Sequence, residues 1–167
     1  MAATVRTART EDASALARID VLTWTQATSP APPPEDVESD VFFDERTVPA
    51  DVLVAEIGGE ILGWVKLQRS TPLPAHAHVL EIGGLAVDPP RTGTGVGGQL
   101  VEAAVAECRR RGARKVSLRV LAPNEGARRL YERCGFQLEG RLRDEFHLGG
   151  AFVDDLLMAR WLDAVKV

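Results

Sequence analysis

The stretch that most constrains this chain is residues 79–87, V-L-E-I-G-G-L-A-V, followed after Asp88-Pro89-Pro90 by the glycine-rich R-T-G-T-G-V-G-G-Q-L of residues 91–100. An apolar run lacking the alternation of a half-solvated strand fits a strand covered on both faces. It is far shorter than the roughly 20 residues a membrane helix needs. A strand buried on both sides requires packing layers above and below its sheet. The glycine turn leads into one such layer, an amphipathic helix over residues 96–110 with Leu100, Val101, Ala104 and Val105 as its buried stripe. Gly83 and Gly84 interrupt the strand. Glycine weakens a strand interior, so the pair marks a bulge or the close approach of another backbone or a ligand.

The other elements can be placed around this unit. Residues 5–9 alternate as a strand, and Thr10-Glu11-Asp12 supplies an N-cap and two acids for a helix carrying Ala13, Leu16, Ala17, Ile19 and Leu22 at helical spacing. Pro30, Pro32, Pro33 and Pro34 end it, and residues 35–43 read as a second, shorter helix with Val37, Val41 and Phe42 inward. Residues 51–57, Gly58-Gly59 and residues 60–69 have the form of a β-hairpin, since a two-residue turn with positive φ favours glycine. A loop over residues 70–78 precedes the central strand. A strand at residues 115–121, a short helix over residues 124–134 ended by Gly135, and a final strand pair from Phe136 with a turn at Gly149-Gly150 follow. The order β-α-α-β-β-β-α-β-α-β-β implies an α/β fold, a mixed sheet with helices on its faces, and 167 residues suit a single domain over 1–167.

Composition excludes several functions. With 20 basic and 24 acidic residues the net charge is −4, which argues against nucleic-acid binding. The charge is unevenly spread: residues 91–133 hold ten basic and four acidic side chains, leaving ten basic and twenty acidic elsewhere. One stretch is therefore suited to an anion. Residues 35–46 hold six acids and one base, a weak pointer to a cationic substrate. Cys108 and Cys134 have neither disulfide-framework nor zinc spacing, so no metal is expected. The amino-terminal residues lack the apolar run of a signal peptide, which predicts a soluble, cytoplasmic protein with no membrane partner.

The glycines at 93, 95, 97 and 98 let the backbone curl with its N–H groups inward, and the following helix start adds roughly half a positive charge. Such a turn holds a phosphate or pyrophosphate. Gly93, Gly95 and Gly98 also satisfy G-x-G-x-x-G, but a dinucleotide fold places that motif after its first strand and an acid at the end of the next, and neither holds here. A P-loop is excluded because no Gly-Lys-Ser/Thr follows.

A second constellation is N-E-G-A-R-R-L-Y-E-R-C-G-F, residues 124–136. Together the two resemble the GNAT superfamily of acyl-CoA-dependent N-acetyltransferases. The family's pyrophosphate turn, Q/R-x-x-G-x-G/A, falls on Thr92, Gly95 and Gly97. Its later N-x-x-A-x-x-L-Y-x-x-x-G-F is matched by Asn124, Ala127, Leu130, Tyr131, Gly135 and Phe136. Thr92 stands where Gln or Arg is usual, and Gly126 where a basic residue is frequent; Arg91, Arg128 and Arg129 are nearby.

The resemblance implies that two parallel strands, holding Leu85 and Ser117, splay apart to admit the pantetheine arm of acetyl-CoA. Leu85, Ala86 and Val87 then line the arm, with backbone groups of Leu85 and Val87 pairing to it and the Leu85 amide near the thioester oxygen. The turn of Thr92, Gly93, Thr94, Gly95, Val96, Gly97 and Gly98 takes the pyrophosphate, and Asn124, Ala127 and Tyr131 touch the cofactor. Tyr131 is the implied acid toward the departing thiolate. Glu81, in the spacing E-I-x-x-x-A-V, is the candidate base that takes a proton from the attacking amine; His76 and His78 are weaker alternatives. Cys134 reads as a packing residue, and Trp24, Trp64 and Trp161 as core or acceptor-pocket walls. The expected activity is transfer of acetyl to a primary amine of a small molecule or peptide, in a chain of the kind that often forms a homodimer. The competing readings are a non-catalytic acyl-CoA or nucleotide-binding module and a dinucleotide-dependent oxidoreductase.

Overall fold

A computed structural model describes residues 3–34 and 41–162. Seven strands form one mixed sheet in the order β1-β2-β3-β4-β5-β7-β6, built from β1 (Thr4–Thr7), β2 (Val52–Ile57), β3 (Glu60–Gln68), β4 (Val79–Val87), β5 (Lys115–Leu121), β6 (Gln137–Leu148) and β7 (Ala151–Trp161). All neighbouring pairs are antiparallel except β4 with β5. Helix α1 (Ala13–Thr23) covers one face over β3 and β4, while α2 (Val96–Arg110) and α3 (Glu125–Arg133) cover the other. The larger core gathers α2 and α3 with Leu80, Ile82, Val116 and Leu118. The smaller one packs Leu16 and Ile19 of α1 on Val52, Val54, Trp64 and Ala86.

The central unit folds as its sequence implies. Both β4 and β5 occupy the anticipated residues, and the hairpin β2–β3 turns at Gly58 (φ 59°) and Gly59 (φ 86°). At the amino-terminal end the expectation fails in detail. Thr10 does not cap α1; residues Thr10–Asp12 form a 3-10 turn, and the Asp12 carboxylate accepts the Arg9 N–H at 2.7 Å and the Arg6 guanidinium at 2.7 Å. A buried carboxylate is held more firmly by an arginine and an amide together than a threonine hydroxyl holds one amide. Of the helix expected over residues 35–43, residues 35–40, including Val37, lie outside the described residues. Val41–Phe43 are irregular, with Val41 74% exposed and the rings of Phe42 and Phe43 against the smaller core.

The ladder between β4 and β5 is short. It runs from Val79↔Lys115 to Ile82↔Leu118 and stops there, so residues 84–87 pair only with β3 and residues 119–121 only with β7. The sheet is thus open along its middle from Gly83 onward.

Candidate active site

The opening begins at a bulge. Lys66 pairs with Gly84 and Leu67 with Ile82, which leaves Gly83 as the extra residue and turns two successive positions to the α1 face. Side chains of β3 occupy both positions. A Cβ on Gly83 would lie 2.3 Å from the Gln68 Oε1, and one on Gly84 would lie 3.0 Å from the Trp64 ring. The glycine pair is therefore fixed by the packing of Gln68 and Trp64 as well as by the bulge.

Backbone direction decides what faces the gap. Asp88 donates its N–H to the Leu62 carbonyl on β3 at 2.8 Å, and alternate residues of an antiparallel strand face the same neighbour. Ala86 therefore turns its backbone toward β3, whereas Leu85 and Val87 present theirs to the gap. All three line the cleft; the Ala86 methyl also packs in the core beneath α1, and its carbonyl lies where a Cβ on Gly63 would fall.

A cleft of about 1120 Å³ follows the gap through the sheet. Its end on the α2 side is the glycine turn, where Gly93 (φ 81°) and Gly95 (φ 92°) use the left-handed backbone that glycine adopts without strain. Among the described residues the N–H groups of Gly93, Gly95, Val96, Gly97 and Gly98 find no acceptor, so the turn presents a row of free donors at the start of α2. Thr92, Gly93, Gly95, Gly97 and Gly98 line the cleft, but Thr94 and Val96 do not. Thr94 spends its N–H (3.2 Å) and hydroxyl (2.5 Å) on the Arg91 carbonyl, and the Val96 side chain is in the core. Of these two residues, Val96 keeps its N–H without an acceptor among the described residues.

The α3 wall carries Asn124, Ala127 and Tyr131. Asn124 caps α3, its Oδ1 accepting the Ala127 N–H at 3.1 Å. Tyr131 is 6% exposed, packs on Phe136 with ring centres 5.7 Å apart, and makes no hydrogen bond among the described residues through its hydroxyl. Burial pushes its phenol above the ordinary range, so it stays protonated. Burial likewise raises the Cys134 thiol, in keeping with a packing role. Arg128 and Arg129 do not line the cleft; they face Glu132 and Glu125 one helical turn away.

On the α1 face stand Glu81, Asp20, Trp24 and Trp64, with Arg119, Phe146 and Asp155 across the gap. Glu81 is half-buried, and its Oε1 accepts the Gln68 Nε2–H at 2.6 Å. His76 and His78 precede β4 and are not among the residues that line the cleft. Trp161 is 62% exposed and stacks under Lys115, neither core nor pocket wall. Sequence reasoning did not single out Asp20, Gln68, Arg119 and Asp155. Only Asp20 left a readable signal, an acid four places after Leu16 and three after Ala17 on the apolar stripe of α1. Among the described residues no cluster of His, Cys, Asp or Glu could hold a metal ion, and no helix is long and apolar enough to cross a membrane.

Residues 16–136 match the family model described as the acetyltransferase (GNAT) family. An uncharacterized N-acetyltransferase of Mycobacterium tuberculosis is 31% identical over 160 residues, covering 90% of this chain and 98% of that protein. A mycothiol acetyltransferase of Thermobispora bispora is 38% identical over 101 residues, 59% of this chain; the chain spans only 32% of that protein. Among solved structures, smu.2055 of Streptococcus mutans superposes with a TM-score of 0.84 at 28% identity, covering 96% of this chain and 99% of that one. A GNAT superfamily phosphinothricin acetyltransferase of Sinorhizobium meliloti, in complex with acetyl-CoA, does so with a TM-score of 0.77 over 97% of this chain and 89% of that one; at 20% identity the likeness is one of fold.

Proposed function

Because the chain belongs to the acetyltransferase (GNAT) family, we propose that it transfers an acetyl group from acetyl-CoA to a primary amine by direct attack within a ternary complex. The observation that carries this reading is the open seam between β4 and β5. Among the described residues it leaves the backbone groups of Leu85 and Val87 facing the gap without a strand partner and ends at five amides of the glycine turn that have no acceptor. An extended, amide-bearing pantetheine arm with a diphosphate at one end matches both features, the arm as a surrogate strand and the diphosphate as the acceptor of those N–H groups.

Acetyl-CoA supplies an activated acyl carbon and a leaving thiol. The residues of this chain do the rest from opposite faces of the sheet. Glu81, on the α1 face, is the base that relieves the amine of its proton, and Gln68 holds that carboxylate in one orientation. The Leu85 N–H, pointing into the gap, stabilises the oxyanion; one such donor contributes about 100- to 1000-fold in rate. Tyr131, on the α3 face and kept protonated by burial, donates its proton to the leaving sulfur. Base and acid on opposite faces let the amine enter from one side and the thiol depart on the other.

Calorimetry with acetyl-CoA, followed by thiol release over an amine panel, tests the reading. Binding together with amine-dependent release is expected. Absence of heat with both coenzyme A and acetyl-CoA refutes it.

A further inference from the structure

The α1 face of the cleft contains an unmatched negative charge, and this identifies the class of acceptor, given the acetyl-transfer reading above. Among the described residues three carboxylates line the cleft: Asp20, Glu81 and Asp155. Glu81 is held by Gln68, and Asp155, 2% exposed, is paired with Arg119, which also reaches Glu145. Asp20 alone has no hydrogen bond or ion pair to its carboxylate among the described residues.

Its surroundings add to that imbalance. Asp20 lies in the last turn of α1, where the carbonyl ends of the helix carry partial negative charge and no basic residue offsets them. Thr23 and Trp24, three and four places on, share its side of the helix and also line the cleft. Across from them stands Trp64, whose ring rests on Gly84 beside Leu85. Trp24 and Trp64 line the same cleft as Asp20, and an indole face or a carboxylate each suits an ammonium group. Burial raises the Asp20 carboxyl, a cost that a bound cation would remove.

We propose that Asp20 anchors a cationic group of the acceptor, and that the acceptor is accordingly a diamine or polyamine. Two nitrogens are required because their roles differ. The nitrogen that attacks must shed its proton before forming the new C–N bond, whereas the one paired with Asp20 stays protonated. Arg119 does not compete for this assignment, as its charge is already shared between Asp155 and Glu145.

The test compares 1,4-diaminobutane, n-butylamine and glutamate as acceptors for the wild-type chain, Asp20→Asn and Asp20→Glu. The wild type should favour the diamine over butylamine by about 10- to 100-fold in kcat/KM, the range expected for one charge-assisted contact. Asp20→Asn should erase that ratio through a raised KM for the diamine, and Asp20→Glu should restore part of it. Equal use of diamine and butylamine by the wild type, a preference for glutamate, or an unchanged ratio in Asp20→Asn overturns the proposal. If Asp20→Asn does not fold, the wild-type ratio decides alone. Calorimetric titration of 1,4-diaminobutane without any acyl donor separates the two readings. Diamine binding that needs Asp20, in a chain that ignores acetyl-CoA, would sink the transfer reading and keep the cation site. Acetyl-CoA binding with no diamine binding would do the reverse.

Discussion

Replacing Gly83 by alanine probes how the bulge, Gln68 and Glu81 depend on one another. Gly83 does not have positive φ, so its backbone accepts alanine, and the cost arises from what the new methyl meets. That is the Gln68 amide, with Oε1 at 2.3 Å and Cδ at 2.4 Å. Both are the far end of a flexible side chain, which can swing away only by breaking its 2.6 Å hydrogen bond to Glu81. Losing one bond to a charged, half-buried partner, with some residual crowding, costs about 1–2 kcal/mol. For a chain of this size that lowers Tm by about 2–8 °C. Thermal unfolding of Gly83→Ala, Gln68→Ala and the double variant forms a cycle. In the Gln68→Ala background the methyl enters space the amide has vacated, so the second substitution should cost less than about 0.5 kcal/mol. Full additivity would show that the penalty lies in the bulge backbone and that the Gln68 contact is irrelevant. In Gly83→Ala, turnover should fall about tenfold while acetyl-CoA affinity holds, since a freed Glu81 loses orientation and the seam keeps its shape.

Glu81→Gln should lower kcat by about 100-fold near pH 7, the usual worth of a positioned base, and by less in alkaline solution where the amine is already neutral; unaltered turnover would remove Glu81 from the chemistry. Tyr131→Phe should cut kcat with little change in the Kd for acetyl-CoA. Because burial raises the phenol, the wild-type step that uses it should not fade between pH 7 and 10, and a decline there that the Phe variant lacks would contradict its role. Glu107 is held down at about 2 by Arg110 first and then Arg111. Its folded-state value lies below the ordinary one, so its stabilisation is present at neutral pH and lost as pH falls toward 2. Arg110 is 73% exposed, so screening reduces that stabilisation. Glu107→Gln should thus cost on the order of 1 kcal/mol at pH 7, and the difference should vanish in acid; a gap that persists at pH 2 would rule out the ion pairs as its source.

How legible each element was follows from how local its causes are. Strands β4 and β5, helix α2 and the hairpin turn at Gly58-Gly59 rest on apolar runs, periodicity and turn chemistry within a few residues, and the structure has them where those signals point. The row of amides around Gly95 and the Asn124 cap are equally local. Partnerships across the sheet were not readable. Gln68 meets Glu81 only because β3 and β4 pair in one register with one bulge, and nothing near Gln68 in sequence announces it. Asp12 prevailed over Thr10 at the start of α1 because Arg6, on the preceding strand, reaches back to it. Trp161 fell outside both expected roles because it lies at the exposed end of β7, against Lys115.

The brevity of the β4–β5 ladder also bears on mechanics. Four rungs join β1–β4 to β5–β7, and beyond them the two parts of the sheet are held together by the core they share under α2 and α3. Anything lying in the seam and hydrogen-bonding to either part acts as a clasp, and its occupancy is felt as stiffness far from the point of contact. Amide exchange on β5 and β7 should therefore slow when the seam is filled, even at residues that touch no ligand.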